Sequence, residues 1–435
     1  MGDPVRAISA CRVCGNTNLV PVLDLGSQAL TGRFPKAGEP DPLSGPLQLV
    51  LCNTQGRRDC CGLLQLAHSY PLAEMYGESY GYRSANNRTM VQHLHRKVER
   101  LQRFASIRPG DSVLDIGSND GTLLGFYGQP SLRRIGIDPS AGKFAREYPQ
   151  EATLLVDFFD PAKVLPFAGT DGFKVITSLA MFYDLEAPLA FMRDIASLLA
   201  HDGVWVFEQS YLPDMIERLA YDSVCHEHLS YYSLNVILWM ARRAGLKIID
   251  IERNDINGGS FSITAALESA PYPTFDSGIA QLLDLEHGMG LHSLDTYLSF
   301  AQRVAQHRNC LQDLLSAARH RGDLVLGYGA STKGNVVLQY CQFTPHDLPA
   351  IAEKYPAKYG CVTPGTRIPI IPESEARARN PHAFLVLPWY FRDEIVTRES
   401  TFTASGGQLL FPLPYSENGL PQLAGKLVEV DLVRA

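Results

Sequence analysis

The stretch Val113-Leu-Asp-Ile-Gly-Ser-Asn-Asp-Gly-Thr122 constrains this chain more than any other. Val113, Leu114 and Ile116 form a short apolar run of the kind that builds a strand buried in a parallel sheet. Gly117 and Gly121 then demand a tight turn, and Leu123-Leu124 resume as on a helix. Strand, glycine turn and helix start open a doubly wound nucleotide-binding fold. The glycines do not have the dinucleotide spacing, and Asp115 precedes the turn. A carboxylate there repels a diphosphate but suits a ligand with cationic groups and no phosphate.

The following residues repeat the β-α alternation. Arg133 to Ile137 reads as a strand ending in Asp138-Pro139, 23 residues beyond Asp115, about where an acid accepts both hydroxyls of a ribose. A third strand over 152–156 runs into Asp157-Phe158-Phe159, suited to the amine and ring face of an adenine. A fourth over 173–178 ends at Ser178. A fifth over 203–207 follows a helix carrying Leu189, Met192, Ile195 and Leu198. The acidic D-x-G-x-x-x-G pattern resembles motif I of class I S-adenosylmethionine (SAM) methyltransferases. That likeness implies a SAM site built from Asp115, Gly117, Asn119, Asp138, Pro139, Asp157, Phe158, Phe159 and Ser178.

At 435 residues the chain suggests two or three domains, divided here as 1–72, 73–268 and 269–435. A net charge of −7 argues against a nucleic-acid or anionic-membrane partner, and no apolar run approaches membrane-spanning length. The N-terminus lacks a signal-peptide pattern, so a cytoplasmic protein is expected. Five of nine cysteines fall between positions 11 and 61. In a reducing compartment such clustering points to metal rather than disulfides. Cys11, Cys14, Cys52 and Cys61 are the expected ligands of a closed structural zinc site, with Cys60 a competitor for the last place.

Three further stretches concentrate polar chemistry. Residues 75–87 are rich in tyrosine and include Tyr80 and Tyr82. The segment 221–233 holds Asp222, Cys225, His226, Glu227 and His228, where a histidine beside a carboxylate can take a proton near neutral pH. Asn257-Gly-Gly-Ser-Phe261 offers either a close approach to a ligand or a hairpin turn. A single long helical stretch is expected over 277–320. Beyond it, the run Leu324 to Leu338 repeats the strand, glycine turn and helix start, now with Thr332, Lys333 and Asn335 and no acid. A helix N-terminus with a lysine suits a phosphate. Trp389 and Tyr390, after the strand over 383–387, could stack on a base or sugar.

Together these pieces resemble the nucleotide-sugar C-methyltransferases that methylate C3 of 4-keto-deoxysugars. The matching residues are Asp24-Leu-Gly26, Tyr80-x-Tyr82-x-Ser84, Asp115 to Gly121, Glu227-His228 and Gly327-Tyr-Gly-Ala330. The resemblance implies an α/β architecture in which a class I SAM-methyltransferase Rossmann-like core is flanked by an N-terminal zinc-binding domain and a C-terminal Rossmann-like domain. It implies SAM and Zn2+ as cofactors and a nucleotide-diphosphate sugar as substrate, handled by a monomer. His228 would be the base, assisted by Glu227, with Tyr80 at the reacting centre. Tyr82, Asp184, Cys225, Asn257, Thr332, Lys333 and Asn335 would contact substrate. The chain departs from the family at Cys225, where a tyrosine is common, and at Asp184, where a histidine is common. The rival readings are an O-methyltransferase and a non-catalytic zinc- and nucleotide-binding scaffold.

Overall fold

The computed structural model describes residues 5–54, 57, 59–76, 83–129, 131–414 and 422–424. The chain divides into two compact units and passes between them repeatedly. One unit comprises 1–21, 50–213 and 227–294; the other comprises 22–49, 214–226 and 295–435.

The first unit is organised on a seven-stranded sheet. Its strands are β1 (Ser112–Ile116), β2 (Arg133–Ile137), β3 (Ala152–Leu155), β4 (Phe173–Leu179), β5 (Leu199–Ser210), β6 (Leu246–Asn254) and β7 (Ser260–Leu267). Their spatial order is 3-2-1-4-5-7-6, and β7 lies antiparallel to both neighbours. The period-two alternation of strand side chains sends Val113, Val175 and Val206 to one face. There they meet Met90, Leu94, Val98 and Leu101 of helix α1 (Arg88–Phe104). Leu114, Ile116, Ile176, Trp205 and Phe207 point to the other face, against α2 (Pro188–Leu198) and α3 (Leu234–Ala244). Each fully buried side chain of this size contributes about 1.5–3 kcal/mol. With both faces covered, the strands carry near-continuous apolar runs, as Val113, Leu114 and Ile116 of β1 do.

Helix α1 starts at Asn87, whose side chain accepts the backbone N–H groups of Thr89 and Met90. The Asn257 region is the tight connection between the antiparallel β6 and β7, with Asn257 at φ 55°. The helix expected over 277–320 is instead two, α4 (Asp276–Gly288) and α5 (Leu294–Arg321). Gly290 at φ 70° ends the first, since a left-handed glycine closes a helix and cannot continue it.

The second unit carries β8 (Val325–Tyr328), helix α6 (Thr332–Tyr340), β9 (Ile351–Glu353), β10 (Ile370–Pro372), β11 (Ala383–Val386), β12 (Gln408–Phe411) and β13 (Gln422–Ala424). The order is 10-9-8-11-12-13, parallel except for the last strand. It is a second doubly wound sheet, with strand order reversing between β8 and β11. Among the described residues no helix is long and apolar enough to cross a membrane.

Candidate active site and metal centre

In each sheet the order reverses beside the glycine-turn strand, and ligands of such sheets bind at the carboxyl ends of the strands flanking that point. In the first unit the point lies between β1 and β4. Asp115 near the end of β1 is buried, and its Oδ1 accepts the Thr177 hydroxyl of β4 at 2.6 Å. Burial raises the Asp115 carboxyl to about 7, with Thr177 opposing and the charge of Asp138 adding to the rise. A cationic ligand would reverse that cost. Gly117 sits at φ 75°, and a Cβ there would lie 3.2 Å from Met181 Cγ, so the turn needs glycine for both conformation and space.

Asp138 is fixed between two loops. Its Oδ2 accepts the Asn119 N–H at 2.9 Å, and its Oδ1 accepts the Ser140 N–H and hydroxyl at 2.6 and 2.7 Å. Oδ2 keeps a lone-pair site for a ribose hydroxyl, while both sites of Oδ1 are taken by Ser140. Pro139 follows directly in this loop. Asn119, at φ 49°, also accepts the Ser84 N–H through its side chain at 3.0 Å. The same turn offers Asp120 to Arg83 and to the Ala85 N–H, so residues 83–85 are strapped across it.

Beyond β3 the three expected residues separate. Asp157 is exposed and pairs with Lys163 at 2.6 Å, whose hydrogen bond holds its carboxyl below the usual range. Phe158 is 40% exposed, leaving a ring face open. Phe159 packs on Phe191 with ring centroids 5.0 Å apart. Ser178 is buried, and its hydroxyl accepts the Trp205 indole N–H at 2.8 Å, so that side chain serves the core.

After β4 the chain turns at Ala180, φ 53°, and Met181 leads into the turn Phe182–Asp184. Met181 packs on Gly117, while the Tyr183 ring lies 4.1 Å from the His228 imidazole. His228 is half-buried and Glu227 buried. Burial pushes the Asp184 carboxyl well above the usual range, with the Tyr76 hydroxyl opposing and the Glu227 charge adding to the rise. Tyr76, Asp184, Glu227 and His228 thus form one group joined to the glycine turn through residues 181–184. Sequence reasoning missed Tyr76, Thr177 and Tyr183. Tyr76 stood in the same tyrosine-rich stretch as Tyr80, and Tyr183 beside Asp184. Tyr80 and Tyr82 lie outside the described residues.

The second unit holds the other expected contacts. Ser331 caps α6 by accepting the Gly334 N–H at 3.0 Å, and Thr332 and Lys333 begin the helix. Gly329, at φ 79°, would place a Cβ 2.7 Å from Pro388. Burial lowers the Lys333 ammonium, with Asp222 and then Cys225 opposing that shift. Asp222 Oδ2 accepts the Trp389 indole N–H at 2.8 Å, and Lys333 lies over the Tyr390 ring at 5.3 Å. Asn335 is fully buried, and its Nδ2 donates to the Thr31 carbonyl at 2.8 Å, which ties 22–49 to α6.

Cys11, Cys14, Cys52 and Cys61 bring their four sulfurs within 4.8 Å of one another. The Cys11–Cys61 and Cys14–Cys52 sulfurs are 3.5 Å apart. Ligands about 2.3 Å from a tetrahedral zinc ion would stand at such separations. Backbone bonds from Gly15 to Cys11 and from Cys52 to Leu63 shape the two halves. Cys60 is not in this group; its sulfur lies 3.9 Å from Asp59. The cluster fits a closed structural zinc site and leaves no position for substrate.

A doubly wound sheet with an antiparallel seventh strand and an acidic glycine turn at its switch point defines a SAM-dependent methyltransferase core. Comparisons with known proteins agree along the chain. Residues 87–251 match the family described as a methyltransferase domain, and 11–76 match one described as zinc binding. Residues 255–414 match the C-methyltransferase C-terminal domain. The C-methyltransferase NovU of Streptomyces niveus is 29% identical over 95% of this chain and 97% of its own length. Among solved structures, the plantazolicin methyltransferase BpumL with SAH is 15% identical, covering 42% of this chain and 87% of that one, with TM-score 0.34. N-methyltransferase NodS of Bradyrhizobium japonicum WM9 is 14% identical, covering 42% and 98%, with TM-score 0.31. Along the chain the three family matches thus follow in the order zinc binding, methyltransferase domain and C-methyltransferase C-terminal domain.

Proposed function

We propose that the chain transfers the methyl group of SAM to C3 of a nucleotide-linked 4-keto-6-deoxysugar. The observation that carries this reading is the grouping of His228, Glu227 and Asp184 on the residues that follow Met181, which itself packs on the SAM turn. A carbon next to a ketone becomes nucleophilic once its proton is removed, and a histidine backed by a carboxylate is a fitting base. His228 takes the C3 proton, and the C–H electrons form the C3–C4 double bond while the carbonyl pair moves onto O4. C3 then attacks the methyl carbon, the sulfonium C–S bond breaks with its electrons going to sulfur, and the carbonyl re-forms. His228 returns its proton to solvent.

SAM supplies the electrophilic methyl. Asp115 and Asp138 would hold its charged and ribose parts, and Phe158 would lie on its adenine. In the second unit, Lys333 and the α6 N-terminus would take the diphosphate, with Tyr390 beside them. Cys11, Cys14, Cys52 and Cys61 would hold zinc for stability alone.

The test is mass spectrometry of TDP-, GDP- and CDP-linked 4-keto-6-deoxysugars, and of their 4-hydroxy counterparts, incubated with protein and SAM. One added methyl on a keto sugar and none on its reduced counterpart is expected. Equal methylation of the reduced sugars would move the assignment to an O-methyltransferase.

A further inference from the structure

We propose that the Asp184 carboxyl is the hydrogen-bond donor to the carbonyl oxygen that gathers charge when the enolate forms. This role rests on the sugar-ketone reading above and adds a residue to its chemistry. Any base-generated enolate needs a donor placed at the oxygen, and removing such a donor typically costs 10²–10³-fold in rate. The described residues around His228 supply few candidates. Glu227 is most useful ionised, beside the imidazolium that His228 becomes. Cys225 is a weak donor and belongs to the second unit.

Asp184 meets the requirements by position. It closes the turn at the carboxyl end of β4, next to Tyr183, whose ring lies 4.1 Å from His228. Its Oδ1 is buried and has no hydrogen-bond partner among the described residues. A buried carboxyl oxygen without a partner costs free energy unless a ligand completes it. Burial favours a proton on Asp184, and the charge of Glu227 adds to that preference. With Glu227 charged for His228, that proton stays on Asp184. The O–H then points to the substrate oxygen and is not transferred: the enolate pair accepts a hydrogen bond and later returns to the carbonyl.

The assignment is tested by solvent-deuterium wash-in at C3 of the accepted keto sugar, without SAM, which isolates enolate formation from methyl transfer. Asp184→Asn keeps an N–H donor of nearly the same shape and is expected to exchange within about tenfold of the unaltered protein. Asp184→Ala is expected to lose at least about 10²-fold. SAM affinity, measured calorimetrically, should be unchanged in both. Exchange by Asp184→Ala at the unaltered rate overturns the assignment. So does an Asp184→Asn protein that binds SAM normally yet exchanges no deuterium, and this arm decides the matter should the alanine variant not fold. If the unaltered protein washes deuterium into none of the keto sugars, the sugar-ketone reading itself falls, and Asp184's role with it.

Discussion

The rings of Tyr183 and His228 stand 4.1 Å apart, at an interplanar angle of 53°. Tyr183 is two residues beyond Met181, and Met181 is the side chain that Gly117 must make room for. The expected base and the expected cofactor turn are therefore connected by one short, packed segment at the end of β4. Movement of that segment would be felt at both.

Replacing His228 with asparagine keeps the ring pocket nearly filled but removes the proton acceptor. Methylation is expected to fall by about 10²–10⁴-fold, as general-base loss typically does. SAM affinity should change little. Steady-state rates together with calorimetric SAM binding check this, and a variant with ordinary turnover would remove His228 from the chemistry.

The Asp115 carboxyl gives SAM binding a pH dependence. Burial raises it to about 7, above about 3.9 for an unfolded aspartate. Its contribution to stability is therefore fully present below pH about 4 and is lost as pH rises through about 7. A cationic ligand favours the ionised form, so binding below that pH expels a proton. SAM affinity should rise by up to about tenfold per pH unit below about pH 7 and level off above it. Calorimetry in buffers of different ionisation enthalpy reads the released proton, and Asp115→Asn should abolish it.

The metal centre distinguishes two adjacent thiols. Cys61 lies in the four-sulfur group and Cys60 does not. Cys60→Ser should retain a full complement of zinc by elemental analysis. Cys61→Ser should lose it and be destabilised by more than about 4 kcal/mol, the range of lost structural metals. Equal zinc loss in both would contradict the assignment.

Lys333 and Asp222 influence each other's ionisation inside the second unit. Lys333→Met alone removes the cation that favours ionised Asp222 in its buried site and is expected to lower stability. Adding Asp222→Asn should restore much of that stability in denaturant titrations. KM for the nucleotide sugar should stay raised in the double variant, because the phosphate contact is still gone. Recovery of KM along with stability would make Lys333 a structural residue only.

The features legible in the sequence were those set by local repetition. Alternating strands and glycine turns revealed both sheets, and clustered cysteines revealed the metal group. What the sequence hid depended on contacts between distant segments. Nothing local separates Cys60 from Cys61, and only the fold brings one to Cys11. The long helix split because the Gly288–Gly290 stretch outweighs the apolar periodicity on either side. Ser178 and Asn335 read as ligand contacts from their positions after strands or turns, yet the Trp205 indole binds the Ser178 hydroxyl and the Thr31 carbonyl binds the Asn335 amide nitrogen. Tyr76 gains its importance only from Asp184, more than a hundred residues away in the chain.

The central claim is that the new bond joins carbon to carbon. Running the reaction with SAM carrying a 13C-labelled methyl group and examining the sugar product by NMR tests it most directly. The account predicts a methyl carbon coupled to a C3 that has lost its proton. A labelled methyl at the chemical shift of a methoxy group, with the C3 proton still in place, would contradict it.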